Sequence, residues 1–525
     1  MSNITDAQRG LINFYDVEGS NGLGVHYFEE WTPGVPFIEI FLQRVKMVKG
    51  LNHVVAYVNP NLVDRLTPYL EKYSIQPLVV ENMPAHVSTH RRMISSRKWS
   101  YQAWMGCPSE LSYFDEVVAM GLIGHFNELT KPSKLVYFTP EAPFFNPQAT
   151  NLMLEKLGSS LENKKLGVLC QPSPMGMSAF CIDSSALNEL SATSVWLPKE
   201  HVGGDFKKQS MKLRNLLGLP LVPNDRRNFL LRSRRDAKRL KAWDGKFDAI
   251  DELSDEPRDV QLEITASPFS PLCRLPALGS HEDMPVENLQ KILSNICEID
   301  DALLTIGDLG NILEYDHLKE LKELLIAHKP YGTHVVLDGK VAFEDIEETN
   351  SWLDLGLDIV TIRMTSIGNE KADLEAHESA VIEMSKRYND PDYHTIINFE
   401  LHKYHDNWRL IEVLQKWKEN YKMPFSWIGW NDYCGQTGEE INLPVYAPRI
   451  KGNCQKLIHQ MHILPDGSVT PCRQDFSGKN VVANVLEKGL FGAWNCEELQ
   501  AIRAKNEPGD EPTELCAGCH QGYFV

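Results

Sequence analysis

No apolar run in this chain approaches the roughly 20 residues that a membrane span requires. Met1 to Arg9 is polar and has none of the apolar stretch of a signal peptide. Internal repeats and low-complexity tracts are missing as well. Positive charge is in deficit, with 53 Lys and Arg against 71 Asp and Glu, and a formal net charge of −18 disfavours non-specific contact with nucleic acid. These absences set the expectation of a cytoplasmic protein with no membrane or nucleic-acid partner. What is present is ordinary globular material. Hydrophobic residues make up 42% and charged residues 24% of 525 positions, enough for roughly three to four domains with their own cores.

Strand–helix alternation runs through most of the chain. In residues 1 to about 200, Pro36 to Val48, Leu62 to Tyr73, Ser109 to Glu128 and Asn151 to Leu157 read as helices, and His53 to Val58 and Leu135 to Thr139 as strands. That order predicts a parallel α/β sheet. Residues 207 to 241 hold twelve Lys and Arg against Asp225 and Asp236. A solvated helix and linker accounts for the run; a patch for an anionic partner such as a nucleotide is the rival account. The acidic stretch Asp244 to Pro257 marks a boundary. Beyond it, strand candidates Val260–Thr265, Ala302–Ile306, His334–Leu337, Ile359–Met364, His394–Phe399 and Phe425–Ile428 alternate with helix candidates Val286–Ile296, Leu318–Ala327, Glu344–Leu355, Asp373–Arg387 and Asn407–Glu419. Such serial steps predict a β/α barrel or partial barrel. In the tail, Pro465-Asp466-Gly467 is a turn between two extended runs, His459–Leu464 and Ser468–Pro471.

Eleven cysteines in a reducing compartment read as metal ligands, catalytic groups or buried thiols before disulfides. Cys454, Cys472, Cys496, Cys516 and Cys519 crowd the C-terminal segment. Cys516-Ala517-Gly518-Cys519 puts two thiols on one tight turn, where both can face one metal. Cys472, at the end of the predicted hairpin, and Cys454, before it, would complete four ligands. The hairpin sets Cys472 opposite about Met461, so residues 454 to 460 have to fold back for Cys454 to join. Cys516 to His520 also spells the haem-attachment pattern Cys-x-x-Cys-His, but haem attachment needs export, and too little chain follows to make a haem pocket.

Cys454, then Ile463-Leu464-Pro465-Asp466-Gly467-Ser468-Val469-Thr470-Pro471-Cys472, Asp475, Ala483-Asn484-Val485, Ala493-Trp494-Asn495, Ile502-Arg503, Cys516 and Cys519 occur in the order of a SPASM-type domain of radical S-adenosylmethionine proteins, which this segment resembles. The resemblance implies that Cys454, Cys472, Cys516 and Cys519 ligate one auxiliary [4Fe–4S] cluster, with Cys434 and Cys496 as further thiols of undecided role. A four-cysteine zinc site (Zn2+) is the alternative, and Asp475 and His520 are candidates to lie beside the metal.

The middle region resembles the barrel of the same superfamily. There a Glu-x-Thr step precedes Cys-x-x-x-Cys-x-x-Cys, whose thiolates hold three irons and leave the fourth for the cofactor. Here Glu263-Ile264-Thr265 is followed by Pro268, Leu272 and Leu275 at those positions, and none of them can ligate iron. Cys273 is one residue out of register and reads as a buried thiol. In the glycine-rich turn Gly307-Asp308-Leu309-Gly310-Asn311, Asn311 replaces the expected Glu, Asp338-Gly339 stands where Asn-Gly is usual, and Leu355-Gly356-Leu357-Asp358 keeps the family's turn. S-adenosylmethionine is therefore not expected as a cofactor. Pro36-Phe37-Ile38-Glu39, Arg44, Leu51 to Ala56 and Val136 to Pro147 resemble acylneuraminate-type cytidylyltransferases. That likeness implies a Mg2+ site at Glu141 and a nucleotide or nucleotide-sugar ligand. The family's basic nucleotide loop is missing: Gly19 to Val25, with Gly22 and Gly24, carries no Arg or Lys.

The expected fold class is α/β throughout. Residues 1–205 form a nucleotidyltransferase-like (GT-A/Rossmann-like) domain, 206–257 a basic then acidic linker, 258–440 a degenerate radical-SAM-like partial β/α barrel and 441–525 a small SPASM iron–sulfur domain. That layout resembles the spiroSPASM family of spirochaetes. It implies a cluster-binding pseudoenzyme that transfers electrons or recognises a redox or protein partner. The alternatives are a nucleotidyl- or sugar-transferase using Glu141 and Mg2+, and a scaffold with structural zinc.

Overall fold

Short apolar runs in the N-terminal third become the strands of one sheet. The computed structural model describes residues 8–14, 23–79, 95, 98–99, 117–118, 120–161, 164–165, 167–169, 176–177, 179–191, 197–198, 229–242, 255–279, 282–390, 393–404, 406–428, 433–434, 454–505, 513–517 and 519. In it, β1 (Gln8–Phe14), β2 (His53–Val58), β3 (Gln76–Val79), β4 (Lys134–Phe138), β5 (Val168–Leu169) and β6 (Phe180–Asp183) form a six-stranded sheet in the order β5-β6-β4-β1-β2-β3. β1 to β4 run parallel, and β6 and β5 add on antiparallel. Side chains alternate across the sheet: Ile12 joins a core with Phe37, Phe41 and Phe138, and Leu11 one with Tyr57, Phe126 and Leu135. Both faces are thus covered, as a parallel sheet requires. Helices α1 (Phe37–Lys46), α2 (Val63–Lys72), α3 (Met120–Thr130) and α4 (Pro147–Lys156) lie between the strands in the chain.

Two features of this unit differ from the expectation. The helix read from Ser109 begins only at Met120; Val117–Val118 is instead a short strand paired with Leu197–Pro198, in keeping with two adjacent β-branched residues, and 109–116 lie outside the described residues. Within the stretch read as linker, 229–242 pack into the unit. Phe229, Leu230 and Leu231 are buried, and the helix Arg234–Ala242 buries Ala237 and Leu240 while Lys241 pairs with Glu29 at 2.6 Å.

The chain divides into Met1–Arg97 with Leu111–Glu252, just described, and a second unit of Lys98–Glu110 with Leu253–Val525. In the second, β7 (Asp259–Leu262), β8 (Leu303–Ile306), β9 (Gly332–Asp338), β10 (Ile359–Arg363), β11 (Ile396–His402) and β12 (Phe425–Ile428) are parallel neighbours in sequence order. α5 (Val286–Ile296), α6 (Leu318–Ala327), α7 (Ile346–Leu353), α8 (Glu378–Tyr388) and α9 (Ile411–Tyr421) occupy the connections. The helix expected over 373–387 is two helices, Lys371–Glu375 and α8. A capping box between Glu370 and Asp373 starts the first, and His377, its ring stacked on Phe343, separates them. The sheet continues on the β7 edge through β13 (Gln460–Ile463), β14 (Ser468–Thr470) and β15 (Ala483–Asn484), giving the order β12-β11-β10-β9-β8-β7-β13-β14-β15. Among the described residues the two end strands do not pair, so the barrel is partial.

Inward-facing residues fill the barrel in layers. At the amino ends of the strands, Leu303, Ile359 and Ile396 pack on Trp99, which is 1% exposed. Lys98 fastens this plug by donating to Asp358 at 2.7 Å and lying over the Tyr331 ring. A methyl group at Gly332 would come within 2.7 Å of the indole, so that strand carries no side chain there. Above the plug is a polar layer in which His334 meets Thr361 at 2.8 Å and Asn398 donates to Thr361 and Ser426. Trp99→Ala should empty a sealed apolar site and cost about 3–5 kcal/mol, read as a lower urea midpoint with an unchanged slope.

Candidate metal centre

The C-terminal segment is built on the β13–β14 hairpin. Its turn works because Gly467 takes φ +81°, Asp466 Oδ1 accepts from the Ser468 amide at 2.9 Å, and the Leu464 amide donates to Ser468 O at 2.8 Å. The register His462↔Thr470 extends to put Cys472 beyond the hairpin's end, next to the residues that precede β13. Those residues fold back as α10 (Gln455–His459), which follows directly on Cys454. Asp475 then shapes the loop after Cys472: it is fully buried, its amide donates to Cys472 O at 3.0 Å, and its carboxylate accepts from the Lys479 and Asn480 amides. It organises the loop and does not line the cavity. Two helices follow, α11 (Val485–Trp494) and α12 (Glu497–Ala504). Arg503 of α12 bonds Leu457 O at 2.9 Å and Trp494 O at 2.8 Å and stacks over the Trp494 ring.

These elements enclose one cavity of about 440 Å³, open solvent included, and Cys434, Cys454, Cys472, Cys516 and Cys519 all line it. The remaining wall is apolar at Leu457, Pro471, Ile502 and Leu515, and polar at Lys456, Gln474 and Thr513. Among the described residues that line it there is no carboxylate or imidazole. The donor set is therefore sulfur, which suits iron–sulfur clusters or zinc and does not suit magnesium or calcium. Among the described residues, no three His, Cys, Asp or Glu side chains converge on a point that a lone ion could occupy. Burial pushes the Cys454 and Cys516 thiols up and takes Cys472 to about 12. Thiolates in so dry a place need cationic partners, and metal ions supply them. Backbone amides work the other way, those of Leu457 and Lys456 lowering Cys454 and that of Gln474 lowering Cys472. Cys496 is elsewhere, buried with its Sγ 3.6 Å from Val482 O. His520 lies outside the described residues.

At the carboxyl mouth of the barrel, which adjoins this centre through Arg473, charged side chains bond to one another. Arg363, 1% exposed, donates Nε to Glu400 at 2.7 Å, Nη1 to Asp308 O at 2.6 Å and Nη2 to Asp308 Oδ1 at 3.1 Å. Arg473, next to Cys472, donates to Asp308 Oδ2 at 2.8 Å, and His402 meets Glu400 at 2.9 Å. Burial works against Glu400 and Asp308, yet Arg363 and, for Asp308, Arg473 hold both carboxylates below their usual range. Glu263 accepts the Leu309 and Gly310 amides at 3.0 and 2.9 Å, so the glycine-rich turn is bonded by its own chain. A methyl group at Gly310 would lie 2.1 Å from Thr265 O, which is why this turn can sit so close. The loop bearing Pro268, Leu272 and Leu275 is tied throughout. Phe269 is buried with Arg363 over its ring, Ser270 donates to Asp338, Tyr404 donates to Cys273 O, and Cys273 is buried.

In the first unit, Glu141 stands three residues beyond the carboxyl end of β4, in a turn closed by the Ala142 amide on Thr139 O at 3.1 Å. Its backbone carbonyl accepts from Leu231, and Arg44 of α1 holds the adjoining Phe145 carbonyl at 3.0 Å. Gly24 belongs to a helical turn, Leu23–Phe28, and Gly22 lies outside the described residues. Cys454, Cys472, Cys516 and Cys519 thus come together, and Glu141 is in a different unit. Cys434 was the least legible thiol of the cavity, because no spacing links it to the others.

Fold and site together define a protein with a thiol-lined cavity on a partial β/α barrel. Residues 454–520 match the family model of SPASM, described as an iron–sulfur cluster-binding domain. No curated protein matches the chain in sequence. Among solved structures, the chain is similar to BtrN in complex with AdoMet and 2-DOIA (12% identity, 50% of this chain and 92% of that one, TM-score 0.35). It is also similar to Streptococcus suis SuiB bound to S-adenosylmethionine (15%, 64% and 86%, TM-score 0.33). A third is a cytidylyltransferase from Leptospira borgpetersenii serovar Hardjo-bovis (13%, 46% and 86%, TM-score 0.29). All three are weak likenesses.

Burial, with Asp308 nearby, raises Glu263 to about 8. Between about pH 5 and pH 8 the folded chain therefore keeps a proton that the unfolded chain releases, and this group's stabilisation is lost as pH rises. Glu263→Gln, with nothing to titrate, should flatten that decline, measured as the difference in unfolding free energy between pH 5.5 and pH 8 for the two proteins.

Proposed function

We propose that this chain is an iron–sulfur protein that holds one [4Fe–4S] cluster through Cys454, Cys472, Cys516 and Cys519, and that its barrel does not turn over S-adenosylmethionine. The observation that carries the cluster reading is the meeting of thiols from three separate places in the sequence on one cavity wall, with no carboxylate or imidazole among its described residues. The bound cluster would supply one-electron chemistry. The residues around it have separate tasks: the amides of Lys456, Leu457 and Gln474 hold charge on sulfur, and Leu457, Pro471 and Ile502 exclude water. Cys454, Cys472, Cys516 and Cys519 are all half-buried, which leaves the site near the surface, as electron transfer to a partner requires.

The pseudoenzyme reading of the barrel rests on its mouth. Pro268, Leu272 and Leu275 supply no thiolate, and the amides and cations that could meet a cofactor are engaged by Glu263, Asp308 and Glu400. Its role is then electron transfer or recognition of a protein partner. Anaerobic purification should yield about four iron and four sulfide per chain, and Cys472→Ala should remove most of both. One zinc without sulfide would instead make the site a four-cysteine zinc scaffold. Appearance of 5′-deoxyadenosine from S-adenosylmethionine and a reductant would sink the pseudoenzyme reading.

A second, separate reading concerns the first unit. Glu141 follows the carboxyl end of a central parallel strand, the edge at which open α/β sheets bind ligands. A Mg2+-dependent nucleotidyl- or sugar-transferase site there predicts calorimetric CTP binding that needs Mg2+ and disappears in Glu141→Ala. Binding that survives the substitution removes Glu141 from that role.

A further inference from the structure

Among the described residues that line the cavity, Lys456 is the one with a cationic side chain, and its amine has no carboxylate, carbonyl or hydroxyl partner. Three other cations of this unit that are withdrawn from solvent are matched. Lys98 donates to Asp358 at 2.7 Å, Lys322 to Glu348, and Arg473 to Asp308 at 2.8 Å. Lys456 is half-buried without such a match. Withdrawing an amine from water with no partner is unfavourable, so a site of this kind points to a ligand.

Its place in the chain says what that ligand is. α10 begins directly after Cys454 and Lys456 is its second residue, so the turn that carries Cys454 to the cavity carries the lysine as well. The amine lies within electrostatic reach of sulfurs from three separate places: Cys454 before the hairpin, Cys472 after it and Cys519 beyond α12. Burial and Arg473 hold the amine below the usual lysine range, and those three sulfurs work against that. In return Lys456 draws Cys454 and Cys472 toward ionisation. Four thiolates outweigh the positive charge of an iron–sulfur core, so a loaded centre is an anion, and an added electron makes it more so. Hydrogen bonds to its sulfurs strengthen as they gain charge, which favours the reduced state over the oxidised one.

We propose that the Lys456 side chain sets the reduction potential of the centre, donating N–H to the ligand sulfurs and so favouring the reduced state. This rests on the cluster reading above. One electron enters from an external reductant and stays on the cluster. No bond to iron forms or breaks, and Lys456 neither gives nor takes a proton. Amine and ammonium both carry N–H, so the role holds in either form.

Full-length wild type, Lys456→Met, Lys456→Arg and Lys479→Met, purified anaerobically, test this by iron and sulfide content and by redox titration at one pH, followed by the EPR signal of the reduced cluster. Lys456→Met should keep its cluster while its reduction equilibrium falls about tenfold, a midpoint lower by about 59 mV for one electron. Lys456→Arg, which keeps N–H donors, should recover most of that loss. Lys479→Met, which removes an exposed lysine off the cavity wall, should match wild type. An unchanged midpoint in Lys456→Met overturns the proposal. So does an equal drop in Lys456→Arg, which would make shape the cause, or in Lys479→Met, which would make net charge the cause. Loss of iron from folded Lys456→Met also overturns it, by making the lysine a requirement for holding the cluster. If circular dichroism shows that Lys456→Met does not fold, wild type carrying lysine with the heavy nitrogen isotope at Nζ decides. The reduced cluster should show a hyperfine coupling to that nitrogen, and its absence refutes the proposal. Zinc without sulfide in wild type removes the parent cluster reading instead.

Discussion

The parallel pairing of β7 with β13, Val260 against Met461 and Leu262 against Ile463, is the contact on which the metal centre depends. The ladder continues past β7 through the Glu263 amide on Ile463 O at 2.9 Å. A hairpin of strands as short as β13 and β14 would be marginal alone. Grafted onto the barrel edge it shares the barrel's core, in which Ile463, Val469, Val485 and Trp494 pack with Val260, Leu289 and Ile292. Cys472 and Arg473 then extend from a fixed edge, one toward the cavity and the other to Asp308. Metal affinity and barrel stability are thereby coupled, because anything that binds the folded centre also favours the sheet that builds it.

The charges at the barrel mouth have a second meaning beside this frame. A buried cation among carboxylates gains little net stability over an apolar filling, but losing one member leaves the rest uncompensated, at a cost of about 3–5 kcal/mol. Arg363, Asp308, Glu400 and Arg473 form such a set, and His402 closes it. It binds the barrel mouth and the cluster loop into a single arrangement. A mouth that is internally neutralised in this way has committed its polar groups to itself.

Much of this was legible in the sequence. The Cys-x-x-Cys turn, the Pro-Asp-Gly hairpin and the serial strand–helix steps act over a few residues, and such local patterns fix local structure. Register alone did not bring Cys454 to Cys472; it required residues 454 to 460 to fold back without saying how, and α10 supplies that return. Three features were not legible. Cys434 reaches the cavity through the packing of Tyr433 on Phe476, a contact with no sequence spacing to announce it. The mouth network joins residues as far apart as Asp308 and Arg473. Residues 229–242, basic and linker-like to the eye, are docked by Phe229, Leu230 and Leu231, whose apolar run is masked by the charges around it.

Trp99 carries a consequence for the order of assembly. It lies in sequence among the residues of the first unit but seals the barrel of the second, and its neighbour Lys98 bonds Asp358, 260 residues later. During synthesis the plug leaves the ribosome long before the strands it will close. At about 5–20 residues per second, it waits on the order of ten seconds or more for its partners. The barrel's base is thus a late step in the birth of the protein, closed only after the strands around Asp358 have been made.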